Sequence, residues 1–171
     1  MKKAHLAFYQ LGTNLIEILM TLVLISILLG FVAPTYQHMI EKQAQLAELA
    51  RLEALFNHAR LIASYNDKDL RVCASHTGEE CNSGAYLEGN LLLLTLDTNQ
   101  LVHFSRGSGY PVILPEAELT IRPLPKRGAG GSILPCTGFS QIKPKGITLS
   151  SAGRVRINDD LTANLIAKCP K

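Results

Sequence analysis

The chain has 171 residues, which is enough for one domain with a hydrophobic core. Charged residues make up 18% of it and apolar residues 47%, and no internal repeat is present, which argues against a repeat architecture. The formal net charge is +3, but residues 101–171 carry +6 and residues 13–100 carry −5. The basic half indicates either a polyanionic partner or a solvated face that complements the acidic half.

A polar leader containing Lys2 and Lys3 comes before an apolar run from Leu15 to Ala33. The run has about 19 residues, roughly 28 Å of helix, which matches the hydrocarbon core of a bilayer, and only Glu17 interrupts it. Basic residues ahead of such a run favour a leader that stays in the cytoplasm. A leader cleaved at Gly12 would leave the apolar run on the mature protein, which is unlike an ordinary secretory signal peptide.

One long helix is predicted from Asn14 to about Ser64, with a kink expected at Pro34, where the apolar run ends. The second half of this helix is amphipathic, so we expect its apolar stripe to pack on a sheet. The positions expected in that stripe are Ile40, Ala44, Ala47, Ala50 or Ala54, Leu55, Ala59 and Ile62. The segment Asn66-Asp67-Lys68 is predicted to end the helix.

Short β-strands are predicted after the helix, at 70–74, 90–96, 100–104, 118–124, 147–149 and 155–157. Two turn segments, Asp97-Thr98-Asn99 and Ser150-Ser151-Ala152-Gly153, predict hairpins. Residues 126–132 are expected to form a glycine-rich loop, and the tail from 161 to 171 to be irregular. The expected fold class is α+β, with the long helix packed on an antiparallel β-sheet.

Four cysteines lie in the part of the chain that is predicted to be exported, which favours disulfides. Their spacing does not suit zinc, because no two cysteines are separated by only two residues. We pair Cys73 with Cys81 and Cys136 with Cys169. The other two connectivities remain open on the sequence alone.

The N-terminal segment resembles the class III signal of type IV pilins and pseudopilins: Gly12, then Thr13-Asn14-Leu15-Ile16-Glu17, then an unbroken apolar helix with Pro34 at its end. The resemblance implies that a prepilin peptidase cuts after Gly12 and methylates Thr13. It also implies that Glu17 neutralises the N-terminal amine of a neighbouring pilin subunit during assembly. A lone carboxylate in a bilayer helix is costly unless paired, which agrees with that role.

The same resemblance implies a domain plan and a location. The plan is a leader at 1–12, a hydrophobic transmembrane and assembly helix at 13–34, an amphipathic half-helix at 35–65, and a β-rich head at 66–171. The location is the inner membrane, as a single-pass protein, before assembly and the extracellular pilus afterwards.

The head resembles the minor-pilin group called FimT/GspH. The resemblance lies in Val72-Cys73-Ala74-Ser75 with Gly78 and Cys81, in the segment 91–99, and in Gly153-Arg154-Val155-Arg156. The last element and the basic C-terminal half are most similar to the FimT branch, which is implicated in DNA binding during natural transformation. The GspH branch belongs to type II secretion pseudopili.

The Arg154 and Arg156 side chains would point to the same face of a strand. Two guanidinium groups about 6.5–7 Å apart match successive phosphates, so we expect sequence-independent binding of DNA here. The supporting cations are Lys143, Lys145, Lys126 and Arg127. The alternatives are an edge strand protected by charge, or salt bridges to Asp159 and Asp160.

A second functional hypothesis stays open. In it the chain is a structural minor pilin, or a type II secretion pseudopilin, that primes filament assembly and contacts an acidic neighbouring subunit through its basic face. Under both hypotheses we expect no enzyme, no cofactor and no metal, because the five histidines show no ligand or triad spacing.

The N-terminal motif predicts cleavage between Gly12 and Thr13. Intact-mass measurement and N-terminal sequencing of the membrane-extracted protein should find a methylated Thr13 as the first residue. A mature protein that begins near residue 34, after the apolar run, would contradict the prepilin interpretation.

Overall fold

The structure, a computed structural model, describes residues 14–82, 88–116, 118–136, 143–159 and 163–169, without the side chains of residues 31–35 and 163–164. The elements in chain order are α1 (Leu15–Asn66), β1 (Leu70–Ala74), β2 (Leu91–Thr95), β3 (Leu101–Ser105), β4 (Val112–Ile113), β5 (Glu118–Ile121), β6 (Gly131–Pro135), β7 (Gly146–Leu149), β8 (Val155–Asn158) and α2 (Ala163–Ile166). The chain divides into two compact units, Met1–Met39 and Ile40–Lys171. A long N-terminal helix and antiparallel strands confirm the predicted α+β class.

The described part of the first unit is the N-terminal half of α1. The helix begins after Asn14, whose carbonyl accepts hydrogen bonds from the amides of Glu17 at 2.9 Å and Ile18 at 3.3 Å. The side chains of residues 14–30 are exposed. Among the described residues, no helix is long and apolar enough to cross a membrane. The predicted span continues through residues 31–33, whose side chains lie outside the described ones.

In the second unit, α1 buries one face against the strands. The buried apolar side chains on this face are Leu49, Leu52, Leu55, Phe56, Ala59 and Ala63. Their spacing of three or four residues is that of a single helix face. The predicted stripe is wrong in part, because Ala47 and Ala50 are exposed and Ile40 is 48% exposed. Burying a methyl group gains little free energy, so the larger side chains decide which face packs.

Two four-stranded antiparallel sheets form the head, with strand orders β3-β2-β1-β5 and β4-β6-β7-β8. One core cluster contains Val72 from the first sheet, Ile133 and Ile147 from the second, and Phe56 from the helix. Both sheets and the helix therefore share one hydrophobic core.

The six predicted strands are all present, with ends shifted by up to three residues. The prediction misses two strands, β6 and the two-residue β4, because prolines and glycines border both segments and weaken any strand pattern. The first predicted hairpin is also present, and Asn99 takes the left-handed conformation there, with φ at 54°. The tail was expected to be irregular but contains the one-turn helix α2.

Both predicted disulfides are confirmed. Cys73 and Cys81 are joined with their Cα atoms 5.6 Å apart, and Cys136 and Cys169 with theirs 5.7 Å apart. The second disulfide lies in a small apolar cluster with Leu134 and, from the tail, residues of α2. It therefore fastens the tail, next to α2, to the residue that follows β6.

A buried ion pair connects α1 to two loops of the head. The Glu48 side chain is 1% exposed and pairs with Arg51, whose Nε lies 3.0 and 3.1 Å from the two carboxylate oxygens. Ser108 donates its hydroxyl hydrogen to Glu48 Oε2 at 2.7 Å. Arg51 donates to Ser105 Oγ at 2.6 Å and to the carbonyl of Gly89 at 2.8 Å. The pair thus fixes α1 to the segments before β2 and after β3.

Replacing Arg51 with Met should lower the free energy of unfolding by about 3–5 kcal/mol, because the Glu48 carboxylate stays buried without its cation. Converting both residues to Met should cost less than the single change, since no unpaired charge remains. Urea denaturation of the full-length chain in a nonionic detergent measures both values. Arg106→Met is the control at an exposed position and should stay within about 0.5 kcal/mol of the wild type. A loss below about 1 kcal/mol for Arg51→Met would contradict the role of the pair.

Candidate nucleic-acid interface

The turn between β7 and β8 presents the Gly153-Arg154-Val155-Arg156 segment. The amide of Gly153 donates to the carbonyl of Ser150 at 2.7 Å, and the amide of Ser150 donates to the carbonyl of Arg154 at 3.0 Å. The hydroxyl of Ser150 also accepts a hydrogen bond from the amide of Arg154, at 3.0 Å. Gly153 has φ at 74°, which a residue with a Cβ adopts only with strain, so this turn requires glycine.

Arg154 and Arg156 are exposed, and Val155 between them packs against the main core cluster. This is the alternation that the sequence predicts for a half-buried strand. β8 lies at the edge of its sheet, where it pairs with β7. Within the described part of the chain, neither guanidinium group forms an ion pair.

The glycine-rich loop after β5 lies against the same turn. The amide of Gly128 donates to the carbonyl of Ser151 at 2.9 Å, and the amide of Ala129 donates to the carbonyl of Thr120 at 2.8 Å. A methyl group built on Gly130 would lie 2.9 Å from the carbonyl oxygen of Leu149, so only glycine allows this approach. The loop therefore brings the exposed Lys126 and Arg127 next to the β7–β8 turn.

Lys143 and Lys145 lie at the opposite end of this hairpin. They precede β7, whose four residues separate them from the turn by roughly 13 Å at about 3.3 Å per residue. Lys145 Nζ forms an ion pair with Asp159 Oδ1 at 3.1 Å. The carbonyl of Lys143 accepts a hydrogen bond of 3.5 Å from Gln45 Nε2 on α1. Asp160, the other acid considered as a partner for the arginines, lies outside the described residues.

Arg60 of α1 also lies at the turn, although it was not among the cations expected from the sequence. A methyl group built on Gly153 would lie 3.3 Å from Cδ and 3.6 Å from Nε of Arg60. Helical periodicity places Arg60 at the border of the buried face, next to Ala59 and one turn from Phe56 and Ala63. The periodicity therefore predicts that Arg60 lies near the head. It does not predict which turn of the head Arg60 contacts.

The residues expected to act in processing and assembly are only partly described. Gly12 and Thr13 lie outside the described residues. Glu17 is exposed in the first turn of α1, where a carboxylate interacts favourably with the positive end of the helix dipole.

Two histidines are in contact between α1 and β3, the edge strand of the first sheet. The rings of His58 on α1 and His103 on β3 are in edge-to-face contact, with centroids 5.4 Å apart. Among the described residues, no group of three or more His, Cys, Asp or Glu side chains could hold a metal ion.

The comparisons with known proteins find a similarity of fold. No family model matches the chain, and no curated protein sequence matches it. Two crystal structures of the type IV minor pilin FimU from Pseudomonas aeruginosa are similar to it, with TM-scores of 0.50 and 0.53 and 14% identity. They cover 74% and 78% of this chain and 97% of the FimU chains. At this identity the likeness concerns the fold alone, which is that of a type IV minor pilin.

Replacing Gly153 with Ala should lower the free energy of unfolding by about 1 kcal/mol, because a residue with a Cβ is strained at this φ. Gly109→Ala is a matched control: Gly109 also has a positive φ, 87°, but a methyl group there meets nothing within 4 Å. The two variants should lose similar free energy in urea denaturation, since the flexible Arg60 side chain can move away from the new methyl group. An unchanged stability of Gly153→Ala would contradict the left-handed turn.

Proposed function

We propose that this chain, which has the fold of a type IV minor pilin, binds DNA without regard to sequence and serves DNA uptake in natural transformation. The observation that carries the proposal is the exposed pair Arg154 and Arg156, with Lys126 and Arg127 held beside them by the glycine-rich loop. No acidic residue occurs between Glu118 and Asp159. A ligand with closely spaced negative charges is the natural partner of such a surface.

The binding mode follows from what surrounds these cations. Residues 118–136 and 143–159 contain no aromatic residue, so stacking on bases has no platform in these segments. β8 is a short edge strand without a recognition helix beside it in the described head. Contacts to the phosphate backbone position a protein but carry no sequence information, so the affinity should be electrostatic and sensitive to salt. Lys143 and Lys145 would contribute less than the turn, since Lys145 is already paired with Asp159.

The proposal includes a path to the filament. The run from Leu15 to Ala33 would anchor the chain in the inner membrane, and a prepilin peptidase would cut at Gly12 and methylate Thr13. Glu17 would then pair with the terminal amine of a neighbouring pilin subunit in the extracellular pilus. In this proposal the chain itself catalyses none of these steps.

A purely structural role is the second candidate function. Exposed apolar side chains on the second half of α1 favour it, because Leu61 is 67% exposed and Tyr65 is 87% exposed. Such a surface suits packing against other subunits. In that case the chain primes a pilus or a type II secretion pseudopilus, and its basic face contacts an acidic subunit rather than DNA.

Changing both Arg154 and Arg156 to Gln should weaken DNA binding. Each lost phosphate contact reduces the slope of log K against log salt by about 0.9 for duplex DNA, so the slope should fall by roughly 1.8. The measurement is a fluorescence anisotropy titration of the full-length chain in nonionic detergent with a short duplex at several salt concentrations. Scrambling the duplex sequence should leave every value unchanged, and transformation should fail while pili still assemble.

The matched control is the double variant Arg106→Gln with Lys42→Gln. It removes the same charge from two exposed positions away from the turn, and its salt slope should equal that of the wild type. An unaltered slope in the folded Arg154/Arg156 variant would rule out this site. Lost piliation together with intact DNA binding would favour the structural role.

A further inference from the structure

Arg60 carries a positive charge that no described residue neutralises. Its side chain is half-buried on α1, and the positions one helical turn away hold the neutral residues Phe56, Asn57, Ala63 and Ser64. Within the described part of the chain, its guanidinium group takes part in no hydrogen bond and no ion pair. A cation that is partly removed from water without a partner is unfavourable, so an anionic ligand at this point would stabilise it.

The stem of Arg60 lies against the turn that carries Arg154. Nε of Arg60 would be 3.6 Å from a methyl group on Gly153, the residue before Arg154 in the chain. Glycine at this position leaves room for the stem as well as supplying the positive φ of the turn. The stem of Arg60 and its Nε atom therefore lie at the turn.

The glycine-rich loop adds a third segment at this place. The hydrogen bond of 2.9 Å from Gly128 to Ser151 puts Arg127 beside the same turn. Residues of three separate segments, Arg60, Arg127 and Arg154, therefore lie at or next to this one turn.

We propose that Arg60 is a further phosphate-binding residue and that the DNA site is a compact cluster at the turn end of the β7–β8 hairpin, in which Arg60 and Arg127 join Arg154 and Arg156. Lys145, at the other end of the hairpin and paired with Asp159, lies outside this cluster. The inference rests on the proposed function, because it assigns a further residue and a position to the same binding surface.

A structural role for Arg60 predicts different behaviour. The aliphatic stem of an arginine can cover apolar surface while its charge stays in water, so Arg60 could act only by packing on the turn. Arg60→Met keeps an unbranched apolar stem against Gly153 and removes the charge. Arg60→Lys keeps both the stem and the charge. Comparing the two separates packing from phosphate binding.

The test is the same anisotropy titration, on the full-length chain in nonionic detergent with a short DNA duplex. Arg60→Met should reduce the slope of log K against log salt by about 0.9. If variant and wild type bind equally at about 1 M salt, this difference in slope is roughly an eightfold loss of affinity at about 0.1 M salt. Arg60→Lys should keep the wild-type slope, because a point charge satisfies one phosphate. The charge-matched control Arg106→Gln should also keep it, and Lys145→Gln should lose less slope than Arg60→Met, because Lys145 is paired with Asp159.

The outcomes are distinguishable. A wild-type chain without salt-dependent DNA binding would overturn the proposed function and this inference together. If the Arg154/Arg156 variant loses its slope while Arg60→Met keeps the wild-type slope, the proposed function stands and Arg60 is not a ligand. If Arg60→Met and Arg60→Lys lose slope equally, the geometry of the stem and not its charge is responsible, and the inference is wrong. A slope loss in Lys145→Gln as large as that in Arg60→Met would overturn the compact cluster.

Discussion

The buried pair of Glu48 and Arg51 sets how the second half of α1 lies on the head. Breaking one partner of such a pair leaves a buried charge without compensation, which costs several kcal/mol, so alternative rotations of the helix are strongly disfavoured. The hydrogen bonds from Arg51 to Gly89 and Ser105 extend the constraint to the first sheet. The same constraint positions Arg60, because Arg60 follows Arg51 by nine residues on the same helix, which is about 13.5 Å of rise.

The basic turn depends on that placement and on glycine. Gly153 supplies a left-handed turn and leaves space for the Arg60 stem, and Gly128 and Gly130 let the loop approach the turn at backbone distance. The site is not built on a single element, since its cations come from α1, from the loop after β5, and from the β7–β8 turn with β8. Because hydrogen bonds already hold the turn and the loop in place, ordering these segments should add little entropic cost to the binding of a polyanion.

Much of the fold could be predicted from the sequence, because long helices, alternating strands and glycine turns leave local signals. Inferred export favoured disulfides, but the sequence alone left three connectivities open and the structure decides between them. β4 was not predictable, because a two-residue strand in a segment bordered by prolines gives no pattern. The buried face of α1 was misjudged at Ala47 and Ala50, where small side chains suggest burial without enforcing it. Arg154 and Arg156 were visible as a local motif. The position of Arg60 at the turn and the separation of Lys145 from the turn depend on contacts between distant segments, which no local pattern encodes.

Hydrogen-exchange mass spectrometry of the full-length chain, with and without a short DNA duplex, tests the central claim most directly. Bound phosphates should slow exchange in peptides that cover residues 126–130 and 150–156, and in the part of α1 around Arg60. Exchange in peptides covering residues 101–108 and 143–146 should not change. Protection confined to residues 143–146, or no protection at a DNA concentration that saturates binding, would contradict a DNA site at the turn end of this hairpin.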